Sequence, residues 1–303
     1  MSRYASRWTA RTLRVRWRDL LIQMRPAHWA KNVLVLVPIL TSQQFFSVSL
    51  WPSVLATFAA FCLAASAAYQ LNDLIDLESD RLHEQKGRRP LAAGRLSPRT
   101  VAIFGIALAV GAGALALWTN LMVAAIAALY VALSALYSAV LKRIAVADVL
   151  ALAALYCGRI FGGAAAIGVI VSPYLLAFSL FFFLSLALMK RYVALAANDA
   201  NGAPARTPYR KQDSAFLLMI GVAAALASSL LLGLYINDAS VRIRFSSPDL
   251  LWGVLLALLY AVLRGWLAAT RGRLDEDLAH AAIRDPVLLT IGAAVVVLFL
   301  IAY

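Results

Sequence analysis

Charge is scarce in this sequence. Asp, Glu, Lys and Arg make up 14% of its 303 residues, while 63% are apolar and the mean hydropathy is +0.80. Soluble domains carry about 25% charged and about 45–50% apolar residues, so a soluble enzyme is excluded before any motif is read. Cysteine is also scarce. Cys62 and Cys157 lie in apolar runs and form no CxxC pair, which excludes a disulfide framework and leaves them as small core residues. The three histidines, His28, His83 and His280, have no metal-ligand spacing. No signal peptide is expected, because the first 32 residues are basic and polar and the first apolar run is too long for one.

Long uncharged runs dominate what is present. About 20 apolar residues cross a bilayer. The run from Val33 to Leu71 is too long for one helix and breaks at Thr41-Ser42-Gln43-Gln44 and at Trp51-Pro52. It predicts a helical hairpin over 28–46 and 51–75. The run from Thr100 to Leu141 breaks at Trp118-Thr119-Asn120 and predicts spans three and four. Further spans are predicted over 145–167, 173–195, 214–236, 249–270 and 286–303. The expected fold is an all-α, polytopic membrane protein with nine transmembrane helices. One transmembrane domain covers 28–303 behind an arm over 1–27.

The basic residues sort by side. Of 28 Lys and Arg, 25 fall on the N-terminal arm, on the connections after spans two, four, six and eight, or in the adjoining ends of the spans. Arg242 and Arg244 alone fall on the other side, and Arg159 lies inside span five. This bias predicts a cytoplasmic N-terminus and an outward C-terminus. It assigns the net charge of +13 to membrane sidedness, not to nucleic acid. In the arm, Arg recurs at 3, 7, 11, 14 and 18, and Trp17, Leu20, Leu21 and Met24 share one face. That is an amphipathic helix for the cytoplasmic leaflet, expected to act as an anchor.

Acidic residues number 15, yet four fall within Asn72-Asp73-Leu74-Ile75-Asp76-Leu77-Glu78-Ser79-Asp80. On a helix, Asn72, Asp76 and Asp80 align at i, i+4 and i+8, with Asp73 adjoining and Glu78 pointing elsewhere. Clustered carboxylates without a basic partner at helical spacing repel one another, and at the end of a span they call for a cation. Carboxylate plus amide oxygen suits Mg²⁺, which completes its shell with water and substrate phosphate. Lys86, Arg88, Arg89 and Arg95 follow at once. Arginine favours bidentate phosphate contacts, so metal ligands beside cations point to a diphosphate substrate.

These residues resemble the UbiA superfamily of intramembrane prenyltransferases. The resemblance rests on the Asn72, Asp76 and Asp80 signature, the entry Arg25-Pro26-Ala27-His28-Trp29-Ala30-Lys31-Asn32, and Arg88-Arg89-Pro90-Leu91-Ala92-Ala93-Gly94. It covers essentially the whole chain. It implies a central cavity open sideways to lipid, a cytoplasm-facing site in the bacterial cell membrane, and Mg²⁺ held by Asn72, Asp73, Asp76 and Asp80. The second DxxxD typical of the family, between spans six and seven, is missing. Lys190-Arg191-Tyr192 opens that connection, and Asp199 and Asp213 are too far apart to replace the motif.

Together with Tyr69 to Asp80 and Ile283-Arg284-Asp285, this resembles the branch represented by decaprenyl-phosphate phosphoribosyltransferase. Ala194 and Glu84 depart from that branch, which more often has Glu and Pro there. The branch implies transfer of phosphoribosyl from phosphoribosyl diphosphate to a polyprenyl phosphate for cell-wall synthesis. Asp73, Asp76, Asp80, Lys190 and Arg191 would be the catalytic groups. Lys31, Asn72, Lys86, Arg88, Arg89 and Lys142 would bind substrate. The alternative is prenyl transfer from a polyprenyl diphosphate to an aromatic acceptor.

Other polar residues have two meanings each. Arg159 in mid-span either faces the substrate or pairs structurally with Asp148 or a backbone carbonyl. Asp148 either joins the site or caps its helix. Tyr137 and Tyr192 either donate to phosphate or sit as interfacial aromatics. Asp275-Glu276-Asp277 reads as a solvated loop. A transporter or scaffold protein is disfavoured because no internal repeat is visible and neither needs the acidic face.

Overall fold

The structure is a computed structural model and describes residues 16–82, 85–201, 208–274 and 285–302. The arm residues before Arg16, His83, Glu84, Asp275 to Asp277, His280, Ile283 and Arg284 lie outside the described residues. Every element among the described residues is helical. Short α1 (Trp17–Met24) leads into a 3₁₀ helix (Pro26–Leu36) and α2 (Val37–Thr41). α3 (Trp51–Ile75) and one-turn α4 (Leu77–Arg81) follow. The bundle continues with α5 (Pro98–Thr119), α6 (Leu121–Ala139), α7 (Ala147–Ile167) and α8 (Pro173–Asn201). It closes with α9 (Ser214–Asn237), short α10 (Ala239–Arg242), α11 (Leu251–Thr270) and α12 (Pro286–Ala302).

Among the described residues, seven helical stretches are long and apolar enough to cross a membrane. They run Val48–Ile75, Pro98–Thr119, Leu121–Arg143, Ala147–Ile167, Pro173–Ala196, Lys211–Asn237 and Pro248–Thr270. They match the second to eighth expected spans. The first expected span is instead the 3₁₀ helix and α2, and the ninth is the 17-residue α12. Pro38 explains the division of the first. In a continuous α-helix its ring would meet the carbonyl of residue 34, and it has no N–H to donate.

Local signals set the boundaries. Ser97 caps α5 by accepting from Thr100 N at 3.1 Å, with Pro98 in the first turn. Asn120 is extended, ends α5, and caps α6 by accepting from Val123 N at 2.8 Å. Gly168, at φ 69°, ends α7 in the left-handed conformation.

α3 packs on α5 and α6, and α7 packs on α6, α8 and the 3₁₀ helix. α8 packs on α9, and α11 on α9 and α12. One core gathers Phe61, Ala64, Ala65, Tyr130 and Leu155, and another gathers Leu188, Leu217, Ala225, Val262 and Trp266. Gly163 lets α7 touch the 3₁₀ helix, since a Cβ there would lie 2.0 Å from the Val35 carbonyl oxygen. That contact seats the 3₁₀ segment, and with it Asn32, against the middle of α7.

Candidate functional site

The acidic run lies where α3 ends. The helix does not continue through it: α3 stops at Ile75, Asp76 (φ −94°, ψ 8°) forms the joint, and α4 restarts at Leu77. The Asp76 carbonyl accepts from both Asp80 N and the Ser79 hydroxyl, at 2.8 Å each. The expected single helical face is therefore bent at its middle residue.

The carboxylates also do not stand without basic partners. Asp73 is 3% exposed and takes a hydrogen bond from Gln23 Nε2 at 2.7 Å, an ion pair from Arg25, and Arg89 Nη1 at 3.2 Å. The same Arg89 nitrogen lies 2.6 Å from Asp80 Oδ2. Lys142 Nζ lies 2.7 Å from both oxygens of Asp76 and 3.2 Å from Asn72 Oδ1. Spacing could not reveal these partners, because Arg25 and Lys142 reach the cluster from 48 and 66 residues away. The arm is more than an anchor here: α1 and the residue after it supply Gln23 and Arg25.

Among the described residues, no three His, Cys, Asp or Glu side chains are gathered as a ready metal cage. The donor chemistry still fits Mg²⁺. Asn72 and Asp76 present three oxygens to one cationic nitrogen, and Asp73 and Asp80 share another. Mg²⁺ is held by one or two carboxylates together with substrate phosphate and water, so convergence of all four residues is not required.

A second polar group borders the first. Arg191 donates from Nε to Asp148 Oδ2 at 2.6 Å and from Nη2 to Tyr137 Oη at 2.8 Å. Tyr137 lies within electrostatic reach of Asp76. Tyr209 donates to Asp148 Oδ1 at 2.7 Å and accepts from Val146 N at 2.9 Å. Burial, reinforced by the Asp148 hydrogen bond, pushes the Tyr209 phenol well above its ordinary range, so it stays a donor. Val146 has φ 68° and ψ −47°, and Ala147 N bonds back to Ala145 O at 2.8 Å. This is a γ-turn of the strained hand on a β-branched residue, costing roughly 1–3 kcal/mol.

Arg159 sits deeper and is 5% exposed. It pairs with no carboxylate among the described residues. It donates to Asn32 Oδ1 (2.7 Å), Leu155 O (2.6 Å) and Tyr130 Oη (2.8 Å), and lies over the rings of Tyr130 and Tyr156. Tyr69, under the Arg25 guanidinium at 5.0 Å, lies within electrostatic reach of Arg159 and links the two levels.

The remaining expected residues spread out. Lys86 is half-buried and Arg88 exposed on a 3₁₀ turn just past the cluster. Lys31 is half-buried on the 3₁₀ helix. Lys190 is exposed, and Tyr192 packs edge-on against the Trp266 ring at 6.0 Å. Sequence reasoning missed Gln23, Tyr130 and Tyr209, and quoted Arg25 and Asn32 only within a motif. The entry motif is the one signal that marked Asn32, and Tyr209 carried none.

An apolar cavity of about 230 Å³ lies at the opposite end of the bundle. It is walled by α2, α8, α9, α11 and α12 through Leu40, Tyr174, Phe178, Tyr235, Leu258 and Phe299.

Residues 35–284 match the profile of the UbiA prenyltransferase family. The Sinorhizobium fredii protein "Uncharacterized protein y4nM" is 35% identical over 292 residues; the match covers 94% of this chain but 56% of that protein, so the chain spans just over half its length. The nodulation protein NoeC of Azorhizobium caulinodans is 34% identical, covering 86% of this chain and 85% of that one. The decaprenyl-phosphate phosphoribosyltransferase of Mycolicibacterium smegmatis is 28% identical, covering 91% and 92%. Among solved structures, a UbiA homolog from Archaeoglobus fulgidus bound to GPP and Mg²⁺ superposes with a TM-score of 0.67 at 16% identity, covering 94% and 98%.

Proposed function

The chain belongs to the UbiA prenyltransferase family, and from that premise we propose that it transfers 5-phosphoribosyl from phosphoribosyl diphosphate to a polyprenyl phosphate. It is a membrane transferase. The observation that carries the finer reading is the likeness along nearly the full chain to the M. smegmatis phosphoribosyltransferase, 28% identical over 293 residues. The cationic Arg191 cluster, in place of a second acidic motif, supports it.

Asn72, Asp73, Asp76 and Asp80 would hold Mg²⁺, as the metal in the A. fulgidus structure makes reasonable for the family. Bound there, Mg²⁺ would neutralise charge growing on the departing diphosphate. Lys142, Arg25 and Arg89, which now hold the carboxylates, would be the groups able to turn to phosphate oxygens of the donor. Arg191, held by Asp148 and Tyr137, faces a phosphate of donor or lipid. The bond from ribose C1 to the diphosphate oxygen breaks, and the electron pair leaves with diphosphate. A bond forms from C1 to an oxygen of the lipid phosphate. That oxygen is already anionic at pH 7, so no strong general base is needed. This suits a site where the one histidine among the described residues, His28, is packed against Tyr69. The apolar cavity suits isoprenoid carbon. The site faces the cytoplasm of a bacterial cell membrane, with the N-terminus on the same side and nine crossings in all.

A second function, prenyl transfer from a polyprenyl diphosphate to an aromatic acceptor, draws on the GPP held by the A. fulgidus homolog. The NoeC likeness leaves the acceptor open. The deciding assay uses purified protein, Mg²⁺, polyprenyl phosphate and radiolabelled phosphoribosyl diphosphate. The expected result is label entering the lipid fraction and lost with EDTA. Absence of transfer across several lipid lengths overturns the phosphoribosyl reading, and prenyl diphosphates are then the donors to try.

A further inference from the structure

Lys142 reaches Asn72 and Asp76 from a single 3₁₀ turn, Leu141–Arg143. Only Ile144 and Ala145 separate that turn from Val146. Ile144 is itself tied to α7, because its carbonyl accepts from Asp148 N at 3.1 Å. The path between Lys142 and α7 therefore turns on the Val146 backbone. At φ 68° a valine is strained, since its branched side chain is crowded in that region. Left alone, the residue would relax to negative φ and swing the 3₁₀ turn away from α3. The Val146 N–H does not bond into its own helix. It bonds to the Tyr209 hydroxyl at 2.9 Å.

Tyr209 is only 2% exposed and lies 63 residues further on. Its single hydroxyl performs two tasks. As acceptor it holds the strained turn, and as donor it fixes Asp148, which is wholly buried and orients Arg191. The cations on the two sides of the site are thus referred to one phenol. A Phe in its place would keep the ring packing and delete both bonds.

We propose that Tyr209 is a positioning residue that holds Lys142 against Asn72 and Asp76 through the strained Val146 turn, and Arg191 through Asp148. The catalytic value of this latch rests on the transferase site described above, but its existence is testable without substrate.

The test reads lysine position directly. Full-length wild type, Y209F and the Y209F/V146G double variant are purified into lipid nanodiscs and dimethylated with formaldehyde and cyanoborohydride. The rate at Lys142 is measured by mass spectrometry relative to Lys31. Y209F is expected to speed Lys142 labelling about fivefold, the size of equilibrium shift that one lost hydrogen bond produces. Glycine adopts positive φ without strain, so the double variant is expected to return most of the way to wild type. A merely structural role for Tyr209 would speed all lysines together and would not be rescued at Val146. An unchanged Lys142 rate in Y209F, or an increase that V146G does not reverse, overturns the latch. Should Y209F fail to accumulate, V146P supplies the same reading. It keeps Tyr209 but removes the N–H and forces negative φ, and unchanged labelling there overturns the proposal equally. Calorimetry with Mg²⁺ and inorganic pyrophosphate on the same samples separates the two claims. Wild type that binds no pyrophosphate overturns the diphosphate site, while the labelling still decides the latch.

Discussion

Asp73 and Asp76 stand three residues apart in very different surroundings. Asp73 is buried and neutralises two guanidinium groups, so removing it leaves Arg25 and Arg89 short of a partner in a low-dielectric setting. Breaking such a buried network costs about 3–5 kcal/mol. Asp73→Ala is therefore expected to lower the thermal unfolding midpoint clearly, by intrinsic tryptophan fluorescence in detergent. The Asp76 side chain is 27% exposed, and Lys142 is its ion-pair partner. Asp76→Asn is expected to unfold near the wild-type temperature yet lose about 100-fold or more in turnover, as when one group aimed at developing charge is removed. Near-normal turnover in Asp76→Asn would sink the metal-site assignment. The spacing of Asn72, Asp73, Asp76 and Asp80 made this cluster legible from sequence, since so much acid at the end of a span is costly without cations to balance it. What balances the cluster was not legible. Gln23, Arg25 and Lys142 arrive from distant segments that the packing of α1, α3 and α6 brings together, as Tyr209 arrives at Asp148 from the stretch between α8 and α9.

Elements were legible wherever polar punctuation interrupts an apolar run. Asn120 divides α5 from α6 where the sequence predicted, because its side chain caps the next helix. The 3₁₀ helix was not legible, because hydropathy reports that a segment is apolar and says little about its pitch. Its seat on α7 is nonetheless specific. Gly163→Ala places a methyl against the Val35 carbonyl, and such overpacking costs about 1–3 kcal/mol. Gly113→Ala meets nothing within 4 Å and gains up to about 1 kcal/mol of helix propensity. Opposite shifts of the unfolding midpoint are expected for the two variants, and equal shifts would contradict the close approach. At the other end, Asp285 caps α12 by accepting from Val287 N and pairs with Arg264 on α11. The Arg264 hydrogen bond holds the Asp285 carboxyl below its ordinary range. Its contribution is therefore present above the ordinary carboxylate pKa and is lost as pH falls through the lowered folded value. The difference in midpoint between wild type and Asp285→Asn is expected to be constant near neutrality and to shrink only in acid.

The number of crossings belongs to the whole molecule, and length and charge together bear on the proposed nine. Among the described residues seven helices qualify by themselves, which would put the two chain ends on opposite sides, as nine would. The difference lies in the first and last segments. A 3₁₀ helix rises about 2.0 Å per residue and an α-helix about 1.5 Å, so Pro26–Leu36 and Val37–Thr41 together reach about 30 Å, the thickness of a hydrocarbon core. The 17 residues of α12 reach about 26 Å, and both ends are fixed to the antiparallel α11 hairpin. Asp285 pairs with Arg264 near one end, and Ala302 O accepts from Ser247 N at 3.1 Å near the other. With seven crossings, the segments at 26–41 and 286–302 would each lie on one surface. The basic connections after α3 and α6 would then keep one side while the Arg-rich arm faced the opposite side, against the positive-inside bias. With nine, all 25 biased Lys and Arg share the cytoplasm. Reporters at the two ends fix their sides, and a third between α2 and α3 fixes the count. Fluorescent protein fused before Met1 is expected to light up, and alkaline phosphatase fused after Tyr303 is expected to be active outside. An active phosphatase fused between α2 and α3, near Phe46, completes the argument. A silent one there would show that the 3₁₀ segment does not cross and reduce the count.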